Sequence, residues 1–365
     1  MRIAVVQPKV DRSGGAERYA LALVTGLAAR GHEVHVFARR AEGLPEGVRL
    51  HRIPSVPFGR ALKTYSFWRL TARRIRPHHY DVVHGSGKTT CQTVHRAGGG
   101  VHRAYLERTA EAGRPTGYDR VVLGIEQRLF SSPHLRAVIC PSRWVAREVE
   151  RFHPEVVSKI EVIPNGVDTE RFRPEGREGD RRSVGESLGI PPQDPLLLFV
   201  GTNFRLKGLE AALGALARLP GAHLVVVGGD DPDPFREHAR SLGCLDRVHF
   251  VGARDDTPRW YRAADVLVHP TEYDPFANVC LEALASGTPV VTTPANGAAD
   301  VLEGAPLAGA VVEAEPEGLT QAISGLLAAG RAAREAARAL AEASSLDGHV
   351  SAVERVYRRT REGAS

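Results

Sequence analysis

Cysteine is scarce in this sequence and badly placed for chemistry. Cys91, Cys140, Cys244 and Cys280 stand far apart, with no CxxC pair. That spacing gives neither a disulfide framework nor a thiolate metal site, and it fits a reducing cytoplasm. Long hydrophobic runs are also missing: none approaches the ~20 residues that span a bilayer. Met1-Arg2 leads directly into the strand-like IAVVQ with no small-residue cleavage site, so no signal peptide is expected. Neither common nucleotide fingerprint is complete. The two glycines of Ser13-Gly14-Gly15 do not make G-x-G-x-x-G. The stretch Gly85 to Thr90, GSGKTT, imitates a P-loop, but Val82 stands where the pattern needs its first glycine. No short-period repeat is present.

What remains is a chain of 365 residues, 42% hydrophobic and 25% charged, with a formal charge of +5 and a pI near 9.2. The length exceeds one ordinary core and implies two domains. The modest positive balance suits an anionic partner, with nucleotide phosphates, acidic lipid and nucleic acid all qualifying, or simply a solvated basic surface.

Strand and helix patterns alternate from the start. Arg2 to Gln7, a Gly-rich turn, an amphipathic helix from Ala16 to Arg30 and a strand from His32 to Ala38 form a βαβ unit. Pro57 to Pro77 interleaves six Arg and Lys residues with Phe58, Leu62, Tyr65, Phe67, Trp68 and Leu70. It reads as a helix covering the first sheet, with a cationic face able to lie on an anionic membrane. Thr93 to His102, with its triple glycine and His95, Arg96 and His102, reads as a flexible polar edge. Strands follow at Ala137 to Cys140 and Lys159 to Ile163. Pro164 to Asp168 is turn chemistry, and Pro174 to Asp194 reads as a linker with one or two helical turns. A second βα alternation starts at Leu196 with LLLFVG. Pro316 to Glu342 reads as one Ala-rich helix and Leu346 to Arg361 as a last one. The expected class is α/β, with two Rossmann-like doubly wound domains.

The stretch His269 to Thr293 organises the second half. A short strand ends at His269-Pro270, a loop runs to Ala277, a helix starts at Asn278 and stops at Gly287, and another strand begins at Pro289. Ligands in such folds lie beyond the carboxyl ends of the strands, and free N–H groups at the helix start can receive a phosphate. Asp274 and Glu282 flank that place.

This stretch resembles the donor-binding signature of the GT4-type retaining glycosyltransferases, which have the GT-B fold. That signature usually reads Glu, seven residues, Glu; here it is Asp274, seven residues, Glu282. GGAERYALALVTGLAARGHEVHVF and IPNGVDTERFRP resemble the family's N-terminal and hinge segments. GTNFRLKG and VHRAGGGVH are similar to segments of its lipopolysaccharide-core glucosyltransferases. The resemblance implies two domains facing each other across a cleft: an acceptor-side domain at 1–168, a nucleotide-sugar domain at 169–345, and a C-terminal helix at 346–365 returning to the first. It implies a hexose, glucose by the closest likeness, moved from a UDP-sugar to a lipopolysaccharide-core or other glycan or glycolipid acceptor.

Lys207 matches the family's diphosphate-holding lysine. Thr202 stands at the usual arginine position, and Arg205 is the nearby substitute. Asp274 would hold the sugar and Glu282 the ribose. Gly14, Gly15, Phe276, Ala277, Asn278 and Val279 would line the donor, Gly252 and Arg254 the base, and His95 and His102 would orient sugar or acceptor. No cofactor or metal is expected, since Asp230-Asp231-Pro232-Asp233 reads better as a surface turn than as a metal-binding DxD. Nucleic acid is not an expected partner. A cytoplasmic location is implied, on the inner face of the membrane if the basic helix docks there. The rival readings are a sugar-nucleotide epimerase of the same shape and a nucleotide-binding module without catalysis.

Overall fold

The computed structural model describes residues 1–108 and 115–362; residues 363–365 of the expected last segment lie outside them. The chain divides into two units. Unit 1 is Met1–Pro164 with Asp347–Ser365, and unit 2 is Asn165–Leu346.

Unit 1 is built on seven parallel strands: β1 (Arg2–Val6), β2 (Glu33–Ala38), β3 (Arg49–Arg52), β4 (Val82–Gly85), β5 (Val94–Arg96), β6 (Ala137–Cys140) and β7 (Ile160–Val162), in the order β3-β2-β1-β4-β5-β6-β7. Its helices are α1 (Gly15–Ala29), α2 (Arg60–Arg74), α3 (His102–Arg108), α4 (Gly117–Phe130) and α5 (Arg143–Phe152). Unit 2 carries α6 (Arg177–Leu188), α7 (Leu209–Ala217), α8 (Asp233–Ser241), α9 (Thr257–Ala263), α10 (Asn278–Ala285), α11 (Ala299–Leu302), α12 (Pro316–Ala329) and α13 (Arg331–Glu342). Its six parallel strands are β8 (Leu196–Val200), β9 (His223–Val227), β10 (Val248–Gly252), β11 (Val266–His269), β12 (Val290–Thr292) and β13 (Gly309–Val311), ordered β10-β9-β8-β11-β12-β13. The final helix, α14 (Leu346–Glu362), carries the chain back to unit 1.

Each sheet thus starts in its middle, grows to one side, then returns and grows to the other. The reversal lies between β1 and β4 in unit 1 and between β8 and β11 in unit 2, and ligands bind at such a switch point. The central strand β8, LLLFV, is apolar throughout because both its faces are covered. Leu196, Leu198 and Val200 enter one core cluster and Leu197 and Phe199 the other.

Three sequence expectations change. Val94–Arg96 is a strand inside the first sheet, between β4 and β6, and His95 and Arg96 are buried. It is not an open flexible edge. The Arg96 guanidinium lies 3.5 Å from the centre of the Tyr19 ring, an aromatic face that favours a cation away from water. Pro174 to Asp194 is no bare linker: α6 occupies most of it and packs on α9. Arg177 bonds Asp265 at 2.6 Å, and Arg262 Nε donates to Asp180 at 2.5 Å. The Ala-rich stretch is two helices, because Gly330 (φ 53°, ψ −114°) turns the chain between α12 and α13.

Candidate active site

The switch point of unit 2 brings together the loop after β8 and the loop after β11. Asn203 (φ 60°) takes the left-handed conformation that asparagine tolerates, and its carbonyl accepts from the Lys207 amide at 3.0 Å. This one-turn loop aims Lys207 back over the strand ends. Gly208 (φ 78°) then passes so close to the β11 loop that a Cβ would lie 2.0 Å from the Pro270 carbonyl oxygen; only glycine fits. The Glu272 amide and the Thr271 hydroxyl both donate to the Leu206 carbonyl at 2.9 Å, locking the loops together.

The consequence is an ion pair. Lys207 Nζ donates to Asp274 Oδ2 at 2.6 Å, and both side chains are largely buried. Burial raises the Asp274 pKa, but the Lys207 ammonium and His269 outweigh it and hold the carboxyl down at about 2. His269 is itself buried, with Nε2 3.7 Å from Asp274 Oδ2, and burial keeps its pKa below the ordinary value. Asp274 is fixed from the other side as well. Its amide donates to Ala295 O at 3.0 Å, its carbonyl accepts from Gly297 N at 2.8 Å, and Oδ1 accepts from Phe276 N at 3.1 Å.

The loop ends at the start of α10. The Ala277 amide donates to Asn296 Oδ1 at 3.1 Å, while the amides of Asn278 and Val279 have no protein acceptor among the described residues. Two donors at a helix N-terminus, beside a lysine, suit an anion. Glu282 follows one turn later, buried, with Oε2 accepting from the Tyr261 hydroxyl at 2.8 Å. The Asn278 side-chain oxygen accepts from Asn165 Nδ2 at 2.7 Å.

The remaining candidates spread out. The Arg205 side chain is 72% exposed and pairs with Glu210 at 3.5 Å, so Lys207 is the cation of this loop that meets Asp274. Gly252 ends β10 at the sheet edge, and the Arg254 guanidinium lies 5.7 Å from the centre of the Trp260 ring. Asp230 Oδ2 accepts from the Phe204 amide at 2.8 Å and so braces the β8 loop, while Asp233 opens α8. Among the described residues no group of His, Cys, Asp and Glu is arranged to hold a metal ion.

Gly14, Gly15, His95 and His102 belong to unit 1. Gly14 and Gly15 open α1. The switch point of this unit, after β1 and β4, leads into a cavity of about 350 Å³ whose lining includes Gln7, Lys63, Lys88, His95, His102 and Tyr118. His95 meets Gln92 Nε2 at 3.3 Å and stands edge-on to Phe130, and burial pushes its pKa down to about 4. It is therefore a neutral hydrogen-bonding group near pH 7. His102 opens α3, and its Nε2 is 3.0 Å from Asp119 Oδ1 on α4. Burial lowers its pKa and Asp119 partly offsets that. Lys88, from the segment that imitates a P-loop, is bonded to the Tyr118 hydroxyl, and no helix follows it.

Sequence reading missed Tyr261, Asn165, Asn296 and Asp119. Each acts through a partner at least 17 residues away; Asn165 lies within the segment IPNGVDTERFRP, but nothing in that segment points to Asn278.

Two parallel sheets that share the order third-second-first-fourth-fifth-sixth, the first with a seventh strand added, and a lysine–carboxylate pair before a helix N-terminus in the second unit define a glycosyltransferase of the GT-B fold. Residues 13–171 match Glycosyltransferase Family 4 and residues 180–344 match Glycosyl transferases group 1, and the chain belongs to this family. The lipopolysaccharide glucosyltransferase WaaG of Escherichia coli K12 is 29% identical, over 77% of this chain and 77% of that protein. A D-inositol 3-phosphate glycosyltransferase of Xylanimonas cellulosilytica is 32% identical, over 80% of this chain and 78% of that protein. Among solved structures, WaaG superposes with a TM-score of 0.82 at 26% identity, covering 96% of this chain and 98% of that one. Sucrose-phosphate synthase from Thermosynechococcus elongatus shares the fold, with a TM-score of 0.83 at 23% identity over the full length of both chains.

Proposed function

We propose that this enzyme moves a hexose, glucose by its resemblance to the lipopolysaccharide glucosyltransferase, from a UDP-sugar to a glycan or glycolipid acceptor with retention at the anomeric carbon. The observation that carries the reading is the Lys207–Asp274 pair set against the start of α10. An arriving diphosphate would compete with Asp274 for the Lys207 ammonium and take the amides of Asn278 and Val279. Asp274 would then accept hydrogen bonds from sugar hydroxyls. Its depressed pKa keeps it an acceptor at any physiological pH.

Positive charge at the diphosphate stabilises the leaving group as the glycosidic bond breaks, a task a metal performs elsewhere. The leaving phosphate is the base for the incoming hydroxyl, and same-face delivery gives retention. Glu282 receives the ribose, the backbone near Gly252 and Arg254 receives the base, and the unit 1 cavity receives the acceptor. His95 and His102 orient it, His102 being held by Asp119. The relatives carry names with two different acceptors, a lipopolysaccharide and an inositol phosphate, and the present reading needs only an acceptor hydroxyl. It places the enzyme in the cytoplasm, on the inner face of the cytoplasmic membrane when the acceptor is lipid-borne. Among the described residues no helix is long and apolar enough to cross a membrane.

The test is incubation with UDP-, GDP- and ADP-sugars. UDP release from UDP-glucose is expected. A changed sugar nucleotide without release would identify an epimerase, and no turnover of any donor would leave a binding module. A finer result concerns the ribose. Glu282→Ala should weaken UDP and UDP-sugar binding alike by about 1–3 kcal/mol. Tyr261→Phe should cost less, since it removes one donor but keeps the carboxylate. Titration calorimetry reads both, and unchanged UDP affinity in Glu282→Ala would remove the ribose assignment.

A further inference from the structure

Helix α2 and the loop before it have two working faces. The inner face is spoken for: Phe67, Trp68 and Thr71 are buried, Trp68 Nε1 donates to Thr90 Oγ1 at 2.9 Å, and Lys63 and Phe67 line the unit 1 cavity. Among the described residues nothing covers the tip and outer face, where Val56, Phe58, Leu62 and Tyr65 are exposed. Of the eight large hydrophobic residues exposed among the described residues, four lie within ten positions here: Val56, Phe58, Leu62 and Tyr65. Phe58, at the tip, is 76% exposed. The exposed stripe continues at helical spacing from Leu62 and Tyr65 to Arg69 and Arg73.

The charge is as one-sided as the shape. From Gly47 to Tyr80 the sequence holds eight Lys and Arg residues and no Asp or Glu. The remainder of the chain therefore carries all 43 of its acidic residues, so this segment is a deliberate departure from the surface around it. No carboxylate among the described residues pairs with Arg60, Lys63, Arg69, Arg73 or Arg76.

An aliphatic and aromatic tip backed by uncompensated cations matches one kind of surface, a bilayer that offers hydrocarbon beneath anionic headgroups. An acidic protein or a nucleic acid would satisfy the arginines and leave Val56, Phe58 and Leu62 in water. We propose that the outer face of α2, with the loop at Val56 to Phe58, docks unit 1 on an anionic membrane. Because the inner face of the same helix walls the cavity, docking holds that cavity at the headgroup layer, where a membrane-borne acceptor is presented. This last step rests on the assignment of the cavity to the acceptor; the docking itself does not.

The full chain is sedimented with phosphatidylcholine vesicles, with and without phosphatidylglycerol, at low and raised salt. Binding is expected only with phosphatidylglycerol and is weakened by salt, because exposed charges are screened. The double variant Phe58→Ser/Leu62→Ser should bind at least about tenfold more weakly, roughly 1.4 kcal/mol, and Arg69→Glu/Arg73→Glu should not bind. UDP affinity, measured by calorimetry on the same samples, should stay at the wild-type value in both variants. Equal sedimentation with neutral vesicles, or phosphatidylglycerol binding that both double variants retain, overturns the docking. Loss of UDP binding by the wild-type chain would instead strike at the proposed reaction and leave the docking result standing.

Discussion

Lys207→Ala is expected to lower kcat by about 10²–10³, the usual loss when one charge-stabilising donor is removed from a reacting centre. Donor affinity should fall less, because the charge on the leaving diphosphate grows toward the transition state. The structure adds a second consequence. Lys207 is the cation that holds Asp274 ionised in a buried place, and a buried carboxylate stripped of its partner costs about 3–5 kcal/mol. Asp274→Asn separates the two effects. It removes the buried charge, should leave free UDP affinity near the wild-type value, and should reduce turnover of the sugar donor. Calorimetry with UDP beside donor turnover for the two variants checks this. Wild-type kcat in Lys207→Ala would send the search for the reacting centre elsewhere.

Mild acid is expected to unfold unit 1. Burial is the largest cause of a low pKa at three of its histidines: His84 is pushed down to about 3, and His95 and His349 to about 4. The Arg96 cation pushes each in the same direction. His84 meets the Tyr357 hydroxyl at 2.8 Å and Ser86 at 3.2 Å. His349 meets the Pro164 carbonyl at 2.6 Å and the Tyr19 hydroxyl at 3.1 Å. In the unfolded chain each titrates near ~6.5. The folded values are depressed, so this stability is complete above the unfolded pKa and is lost as pH falls toward the folded ones. Three protons taken up by the unfolded state give a slope of roughly 4 kcal/mol per pH unit, hence about 6 kcal/mol lost by pH 5. That rivals the ~5–15 kcal/mol a whole domain has. Urea unfolding at pH 7.5, 6 and 5 measures it. A midpoint that does not move between pH 7.5 and 5 would contradict the buried neutral state, and His349→Gln should flatten the slope by about a third.

The elements legible from sequence are those whose burial is written locally. LLLFV and HLVVV are apolar on both faces of the second sheet and announce themselves as interior strands. The strand Arg49–Arg52, RLHR, does not, because it lies at a sheet edge and carries polar residues. Helix α6 hid behind its charges, whose partners Asp265 and Arg262 come more than 80 residues later. Val94–Arg96 hid because a buried arginine depends on an aromatic ring from α1. In the site, Lys207 and Asp274 were each legible from their motifs. Their mutual bond spans 67 residues and exists because the switch point folds two loops together. Tyr261 on Glu282 was beyond reach for the same reason.

The path of the chain has one further consequence. Unit 2 is contiguous, while unit 1 is closed only when α14 returns after Leu346. Where the chain leaves and re-enters, Val167 and Ser345 form a bridge, the Val167 amide donates to Ser344 O at 3.0 Å, and the Leu346 amide donates to Val167 O at 2.9 Å. In topological terms unit 2 is a cassette inserted into unit 1, with its entry and exit side by side. A short linker from Pro164 to Asp347 would therefore excise it and still let α14 bring His349 to Tyr19 and Tyr357 to His84, whereas cutting the chain after Pro164 would leave an orphaned half-core. Exchanging unit 2 between relatives is thus a two-junction operation, made at Asn165 and Leu346 together.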